Sequence, residues 1–131
     1  MTIINLEDPV AKWFEMDGGG RVQLRVLSVA EFKAIQKKTT RKKVDYRRVE
    51  GVAGRFEYEE SDTDLQNELY WDAVIVDWEN IVDKKGDPIP CTRENKVLVM
   101  SRSRKFLDFV VESLRVVTED ESRQQEEDLK N

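Results

Sequence analysis

Histidine is absent from this sequence of 131 residues, and cysteine occurs once, at Cys91. Histidine is the most common general base because its ordinary pKa lies near neutrality, so its absence excludes Ser-His-Asp and Cys-His catalysis. One cysteine cannot close an intrachain disulfide, and without histidine the chain has few of the ligands that zinc or copper prefers. The carboxylates form no recognisable paired motif. We therefore expect neither an enzyme, nor a metal site, nor a cofactor.

Long apolar runs are missing as well. No stretch approaches the roughly 18 apolar residues that span a bilayer, and residues 1–5 lack the basic start of a signal peptide. We therefore expect a cytoplasmic protein with no membrane partner. Apolar residues make up 39% of the chain and charged residues 37%. A chain of this length and composition is expected to form one modest core with an extensive charged surface.

The net charge of −5 is unevenly distributed along the chain. Residues 118–131 contain six acidic and two basic residues, which predicts an acidic, mobile tail. Residues 37–48 contain seven basic residues and one acidic residue. The first interpretation of this basic segment is a solvated helix end and loop. The alternatives are nucleic-acid binding and docking of an acidic partner surface or of a neighbouring copy's acidic tail. The low pI of about 4.9 and the missing recognition motifs disfavour nucleic-acid binding. The candidate electrostatic contacts are Lys42, Lys43, Arg47 and Arg48.

The pattern of apolar and turn residues predicts two hairpins. In the first, Val22, Leu24 and Val26 alternate with polar residues after the turn formed by Gly18-Gly19-Gly20, with Trp13 or Phe14 packing across from them. The second spans residues 41–60, where alternation around two glycines suggests an exposed hairpin. Between the two hairpins, a capping box that starts at Ser28 predicts a helix ending near residues 39–40.

Helical spacing predicts three further helices. The first runs from about Asp62 to Trp78, although its β-branched residues at 74–76 leave a strand open for the last turns. The second is capped by Thr92 and reaches Met100. The third is amphipathic, and its apolar face consists of Phe106, Phe109, Val110, Leu114 and Val117.

Together these elements predict an α+β fold: an N-terminal β-hairpin or small antiparallel sheet, followed by three or four packed helices and a mobile acidic C-terminus. Residues 1–117 are predicted to form a single domain. Within it, residues 37–60 are either an exposed basic hairpin or a loop insertion. Residues 118–131 form the acidic tail.

The segment from Asp77 to Asn95 resembles a block that recurs in phage and prophage tail assembly chaperones. There, a helix ending in Trp leads through an acidic, Gly-containing turn into a Pro-x-Pro entry and a capped helix. In this chain those places are occupied by Trp78, Asp83, Gly86, Pro88, Pro90 and Thr92. The likeness extends over residues 10–35 and 68–115, whereas the basic segment from Lys37 to Glu60 has no counterpart in it.

The resemblance implies a chaperone that binds the tape measure protein of a long-tailed phage. It would keep that protein soluble and help to recruit tail tube protein during tail assembly. The resemblance further implies a homo-oligomer in the host cytoplasm, absent from the mature virion, and a longer form made by ribosomal frameshifting. Candidate partner-binding residues, for which core packing is the competing interpretation, are Trp71, Phe106, Phe109 and Val110.

Two alternative functions remain open at this point. One is a minor structural protein that stays in the virion. The other is a small nucleic-acid-binding regulator that uses the basic patch of residues 37–48.

Overall fold

The computed structural model describes the backbone of residues 1–4, 6–7 and 9–130, and the side chains of the same residues except 48, 49 and 120–130. Within this range lie five strands and four helices, so the predicted α+β class is confirmed. In chain order they are β1 (Lys12–Glu15), β2 (Arg21–Leu24), α1 (Val29–Thr39), β3 (Thr40–Val49), β4 (Val52–Ser61), α2 (Thr63–Val74), β5 (Ile75–Glu79), α3 (Arg93–Arg102) and α4 (Arg104–Lys130).

These elements group into two compact units. The sheet unit consists of the described residues of Met1–Ser28 and Trp71–Asn131, and the hairpin unit consists of Val29–Tyr70. The hairpin unit therefore contains all of residues 37–60. The hairpin predicted at residues 41–60 corresponds to β3 and β4. The two parts of the sheet unit are joined through its strands, because β5 pairs with β2.

The sheet unit is built on an antiparallel sheet with the strand order β1-β2-β5. The predicted first hairpin is confirmed, and its turn contains Gly18 and Gly19 at φ values of +94° and +93°, which glycine adopts without strain. β5 lies along the other edge of β2, where Trp78 is in register with Val22.

The predicted helix over residues 62–78 ends earlier than expected, at Val74. The remaining residues form β5 instead, so the strand that the β-branched run left open is the correct interpretation for this part. The strand is favoured for two reasons. β-branched side chains lose rotamer freedom in a helix, and the edge of β2 that does not pair with β1 is available to pair with β5. Val74 and Ile75 are both fully buried, and so are Val22 and Leu24 on β2. Burial of this β2–β5 face outweighs the local helical pattern.

The core of the sheet unit is completed by α3 and α4. These helices contact each other, and α4 also contacts β2. The predicted amphipathic face of α4 supplies the buried residues Phe106, Val110 and Val117, while α3 supplies Met100. The backbone of α4 is helical to Lys130. The tail predicted to be mobile consists of residues 118–131. Most of its side chains, those of 120–130, and the whole of Asn131 lie outside the described residues, so its mobility stays a prediction.

The hairpin unit contains α1, the β3–β4 hairpin and the first part of α2. Thr39 at the end of α1 is buried, its hydroxyl donates to the Ile35 carbonyl at 2.9 Å, and its own carbonyl accepts the Asp62 N–H at 2.8 Å. Phe32 and Tyr70 pack edge to face at 6.2 Å. The Thr39–Asp62 bond joins the two ends of the hairpin, and the Phe32–Tyr70 contact joins α1 to α2.

A two-residue turn closes the β3–β4 hairpin. Glu50 and Gly51 have φ values of +55° and +81°, and the register runs from Val49 opposite Val52 to Thr40 opposite Ser61. Positive φ at both central residues is the signature of a type I′ turn, which suits the twist of the flanking strands. Glycine favours this conformation, but glutamate does not.

Replacing Glu50 with Asn is therefore expected to stabilise the hairpin by about 0.5–1 kcal/mol, because Asn tolerates the left-handed conformation better than Glu. Hydrogen exchange of the β3 and β4 amides measures the effect, and Glu50→Asn should raise their protection. Glu59→Asn makes the same chemical change inside β4 and should not. Equal or lower protection in Glu50→Asn would contradict the prediction.

Candidate functional site

Trp78 is an interior anchor of the sheet unit. Its side chain is 6% exposed, and its indole N–H donates to the Ile89 carbonyl at 2.6 Å. The ring packs edge to face on Phe106, with 5.8 Å between the centroids and an angle of 84° between the planes. Trp78 therefore connects the end of β5 to the loop that follows and to α4.

The loop after β5 is held by one carboxylate. Oδ1 of Asp83 accepts the N–H of Lys85 at 2.9 Å and the N–H of Asp87 at 3.0 Å. The Gly86 N–H donates to the Asp83 carbonyl at 3.0 Å, and Gly86 has a φ of +87°. Side-chain bonding of this type lets Asp fix a tight turn without regular secondary structure.

The chain then enters α3 through the Pro-x-Pro segment. Pro88 forms an isolated β-bridge with Val82. The carbonyl of Pro90 accepts both the Thr92 N–H and the Asn95 side-chain amide, each at 2.9 Å. The Thr92 hydroxyl accepts the Asn95 N–H at 3.2 Å and serves as the N-cap of α3. This bonding positions α3 against the loop.

Beside this segment lies an apolar cleft of about 970 Å³. Its walls come from three parts of the sheet unit: the turn of the first hairpin, the loop after β5, and the junction of α3 with α4. Val82 and Leu98 are exposed on its surface, at 52% and 45%. The apolar side chains that line it are Met16, Ile81, Val82, Ile89, Leu98, Val99 and Phe106.

Charged residues of both signs surround the cleft. Arg102 and Lys105 line the helical side, whereas Asp17, Asp83 and Lys84 line the side of the hairpin turn and the loop. A smaller depression of about 400 Å³ shares Asp17 and Lys105 with the cleft and contains Phe109. The two depressions therefore form neighbouring parts of one surface, and its helical side carries both signs of charge, with Asp108 and Glu112 beside Lys105.

The predicted partner-binding residues fall into two groups. Phe106 and Val110 are 3% and 0% exposed and pack in the core, and of the two only Phe106 also lines the cleft. Phe109 and Trp71 are half-buried, and Phe109 lines the smaller depression. The sequence interpretation missed the exposed cleft residues Val82 and Leu98. Val82 follows Ile81 and Leu98 lies between Val97 and Val99, so no local pattern distinguishes them from core residues.

The predicted electrostatic residues lie on β3, opposite an acidic strand. Lys43 forms an ion pair with Glu60 at 2.7 Å, and the hydrogen bond and charge of Glu60 raise the Lys43 pKa above its ordinary value. Lys42 is in register with Glu59, and the Arg47 guanidinium stacks 5.0 Å from the centre of the Phe56 ring. The Arg48 side chain lies outside the described residues. Two of the seven basic residues at 37–48 therefore lie beside carboxylates, Lys43 beside Glu60 and Arg47 beside Asp45 at 3.8 Å.

No cluster of potential metal ligands occurs among the described residues. Cys91 is half-buried, and burial raises the pKa of its thiol above the ordinary value. The thiol therefore stays protonated near neutrality and is a poor nucleophile. In the part of the chain that the structure describes, no helix is sufficiently long and apolar to cross a membrane.

Comparison with known proteins gives one family. The family model described as YdaY prophage protein matches residues 27–131, which include the loop after β5, α3, α4 and the entire hairpin unit. Searches of curated proteins and of solved structures gave no match. The matched region covers most of the chain, and β1 and β2 lie outside it.

Proposed function

The chain belongs to the YdaY prophage protein family, and from this premise we propose that it acts as a tail assembly chaperone. In this proposal it binds exposed apolar faces of the tape measure protein, keeps that protein soluble, and helps to recruit tail tube subunits. It acts in the host cytoplasm by binding alone, without catalysis, and it leaves before the virion is mature.

The observation that carries the proposal is the apolar cleft of the sheet unit. Its volume of about 970 Å³ lies at the upper end of the range of ligand sites in proteins, roughly 300–1,000 Å³. An amphipathic helix presents apolar side chains at i, i+3, i+4 and i+7 and binds into such grooves. The charges on both sides of the cleft suit the polar flanks of a helix. A long helical protein that has not yet been enclosed by its tube presents faces of this kind, and they aggregate when left uncovered.

Two further observations support the proposal. The family is a prophage family, which is the genetic setting in which a tail chaperone is encoded. The segment from Trp78 to Thr92, which resembles the corresponding block of tail assembly chaperones, forms one wall of the cleft and the entry to α3. The resemblance and the cleft therefore coincide in the same part of the chain.

Val82→Asp is the sharpest test, because it places a charge in the cleft at a site that is already half exposed. Co-expression with helical fragments of the tape measure protein from the same phage should keep those fragments soluble with the wild-type chain. With Val82→Asp, we expect the soluble fraction to fall severalfold. Val111→Asp is the matched control: Val111 is also 52% exposed but lines neither depression, so the fragments should remain soluble.

Three outcomes would contradict the proposal. The first is equal solubilisation by the wild-type chain and Val82→Asp. The second is detection of the chain in purified particles by mass spectrometry, which would favour a minor virion protein. The third is tight, salt-dependent binding to DNA or RNA that is lost when Lys42, Lys43 and Arg47 are neutralised, since phosphate contacts are screened by salt.

A further inference from the structure

The β3–β4 hairpin is a two-stranded ribbon whose strands pair with each other and with no other strand in the described residues. Each strand has ten residues. Four of its large apolar side chains are exposed, including Tyr46 at 76% and Val52 at 70%, whereas Phe56 is half-buried. Isolated two-stranded ribbons are marginally stable in water, and each outer edge presents unpaired N–H and C=O groups. Pairing with a further strand would therefore stabilise the ribbon, and the ribbon has the free backbone groups to form that pairing.

Charge is divided between the two strands. β3 contains five basic residues and one acidic residue, whereas β4 contains three acidic residues and one basic residue. One edge of the ribbon is therefore basic and the other is acidic. Within the ribbon the two signs already attract each other, as the Lys43–Glu60 ion pair at 2.7 Å demonstrates.

We propose that copies of this chain associate through these edges, with the β4 edge of one copy pairing with the β3 edge of the next. Charged edges ordinarily prevent strand addition because like charges meet. Here that repulsion applies to β3 against β3 and to β4 against β4, whereas β3 against β4 brings opposite charges together. The association is therefore head to tail, which closes into a ring or continues as a filament.

The strand directions of the ribbon suit this pairing. Two ribbons in the same orientation place β3 of one beside β4 of the next in antiparallel alignment, as within each ribbon. The new pair would repeat the alternation of basic and acidic strands. This inference does not depend on the cleft or on the proposed chaperone function, because it uses residues of the hairpin unit alone.

The two edges can be blocked separately by proline. The closing pair Val49–Val52 fixes which residues bond across the ribbon, because hydrogen-bonded and non-hydrogen-bonded pairs alternate along an antiparallel ladder. Val44 and Glu57 are opposite each other and belong to a non-hydrogen-bonded pair, so their N–H groups point to the outer edges. Val44→Pro therefore removes an edge donor from β3, and Glu57→Pro removes one from β4, while the internal ladder keeps its bonds.

Sedimentation velocity of the full chain measures the association. The wild-type chain is expected to form oligomers, and Val44→Pro and Glu57→Pro are each expected to be monomeric alone. Mixed in equal amounts, the two variants should form a one-to-one dimer, because the intact β4 edge of Val44→Pro fits the intact β3 edge of Glu57→Pro. A monomeric wild-type chain, unchanged oligomers in either variant, or a mixture that stays monomeric would each overturn the proposal.

Charge reversal gives a second measurement in case proline unfolds the ribbon, which amide exchange would reveal. Lys42→Glu and Glu59→Lys should each weaken self-association severalfold, and the double variant should restore it, because it keeps opposite charges across both the internal and the new strand pair. Failure of the double variant to recover would overturn the proposal. Val82→Asp should oligomerise like the wild-type chain, so loss of chaperone activity and loss of association are distinguishable.

Discussion

Replacing Trp78 with Ala is expected to lower the free energy of unfolding by about 3–5 kcal/mol, as for other large aromatic residues removed from a core. The change removes the edge-to-face contact with Phe106 and the hydrogen bond to the Ile89 carbonyl. It also leaves a cavity where β5, the following loop and α4 meet. Chemical denaturation followed by far-ultraviolet circular dichroism measures the loss.

Two comparisons separate the causes of this effect. Trp78→Phe keeps a ring beside Phe106 but leaves the Ile89 carbonyl without its donor, so we expect a smaller loss of about 1–3 kcal/mol. Tyr46→Ala removes an aromatic side chain from an exposed site and should change the free energy of unfolding by less than about 0.5 kcal/mol. A loss below about 1 kcal/mol for Trp78→Ala would contradict the anchoring role.

Replacing Asp72 with Ala is expected to destabilise the sheet unit by about 2 kcal/mol, because it leaves a buried ammonium group without its carboxylate. The Lys96 side chain is 8% exposed and lies 3.0 Å from Oδ1 of Asp72. Its Nζ also donates to the Asp72 carbonyl at 3.1 Å, which Asp72→Ala retains. Asp72 itself is 39% exposed, so solvent moderates the loss. Thermal and chemical denaturation measure it.

The buried lysine makes a specific control possible. Lys96→Met in the Asp72→Ala background removes the unpaired charge at similar volume, and we expect it to recover most of the lost stability. Asp108→Ala breaks the Arg104–Asp108 pair, whose side chains are 87% and 64% exposed, and should cost no more than about 0.5 kcal/mol. If Lys96→Met fails to recover stability in that background, the buried charge is not the cause.

Elements defined by local patterns could be predicted from the sequence. The glycines of both hairpins, the start of α1 and the Thr92 cap each depend on residues within a few positions of one another. β5 could not be predicted in the same way, because its strand conformation depends on pairing with β2, which lies far earlier in the chain. Tertiary pairing overrode a helical pattern that continued through Trp78.

The candidate site was harder to predict than the fold. The cleft combines Met16, Val82 and Leu98 from three separate segments, and no local pattern connects them. The apolar face of α4 was visible, but which of its residues are buried depends on where the sheet contacts the helix. The charge pairing of the basic segment, in contrast, was accessible: counting outwards from the Glu50-Gly51 turn places Lys42 opposite Glu59.

The discontinuity of the sheet unit determines the order in which it can fold during synthesis. The ribosome delivers β1 and β2 early, yet the β2 edge gains its partner only after the whole hairpin unit has been synthesised. Arg25 N–H and the Val74 carbonyl, which flank that interruption, meet at 3.0 Å. Val22 and Leu24 therefore remain exposed in the nascent chain until translation has reached Trp78. Pairing between strands so far apart in sequence also slows folding.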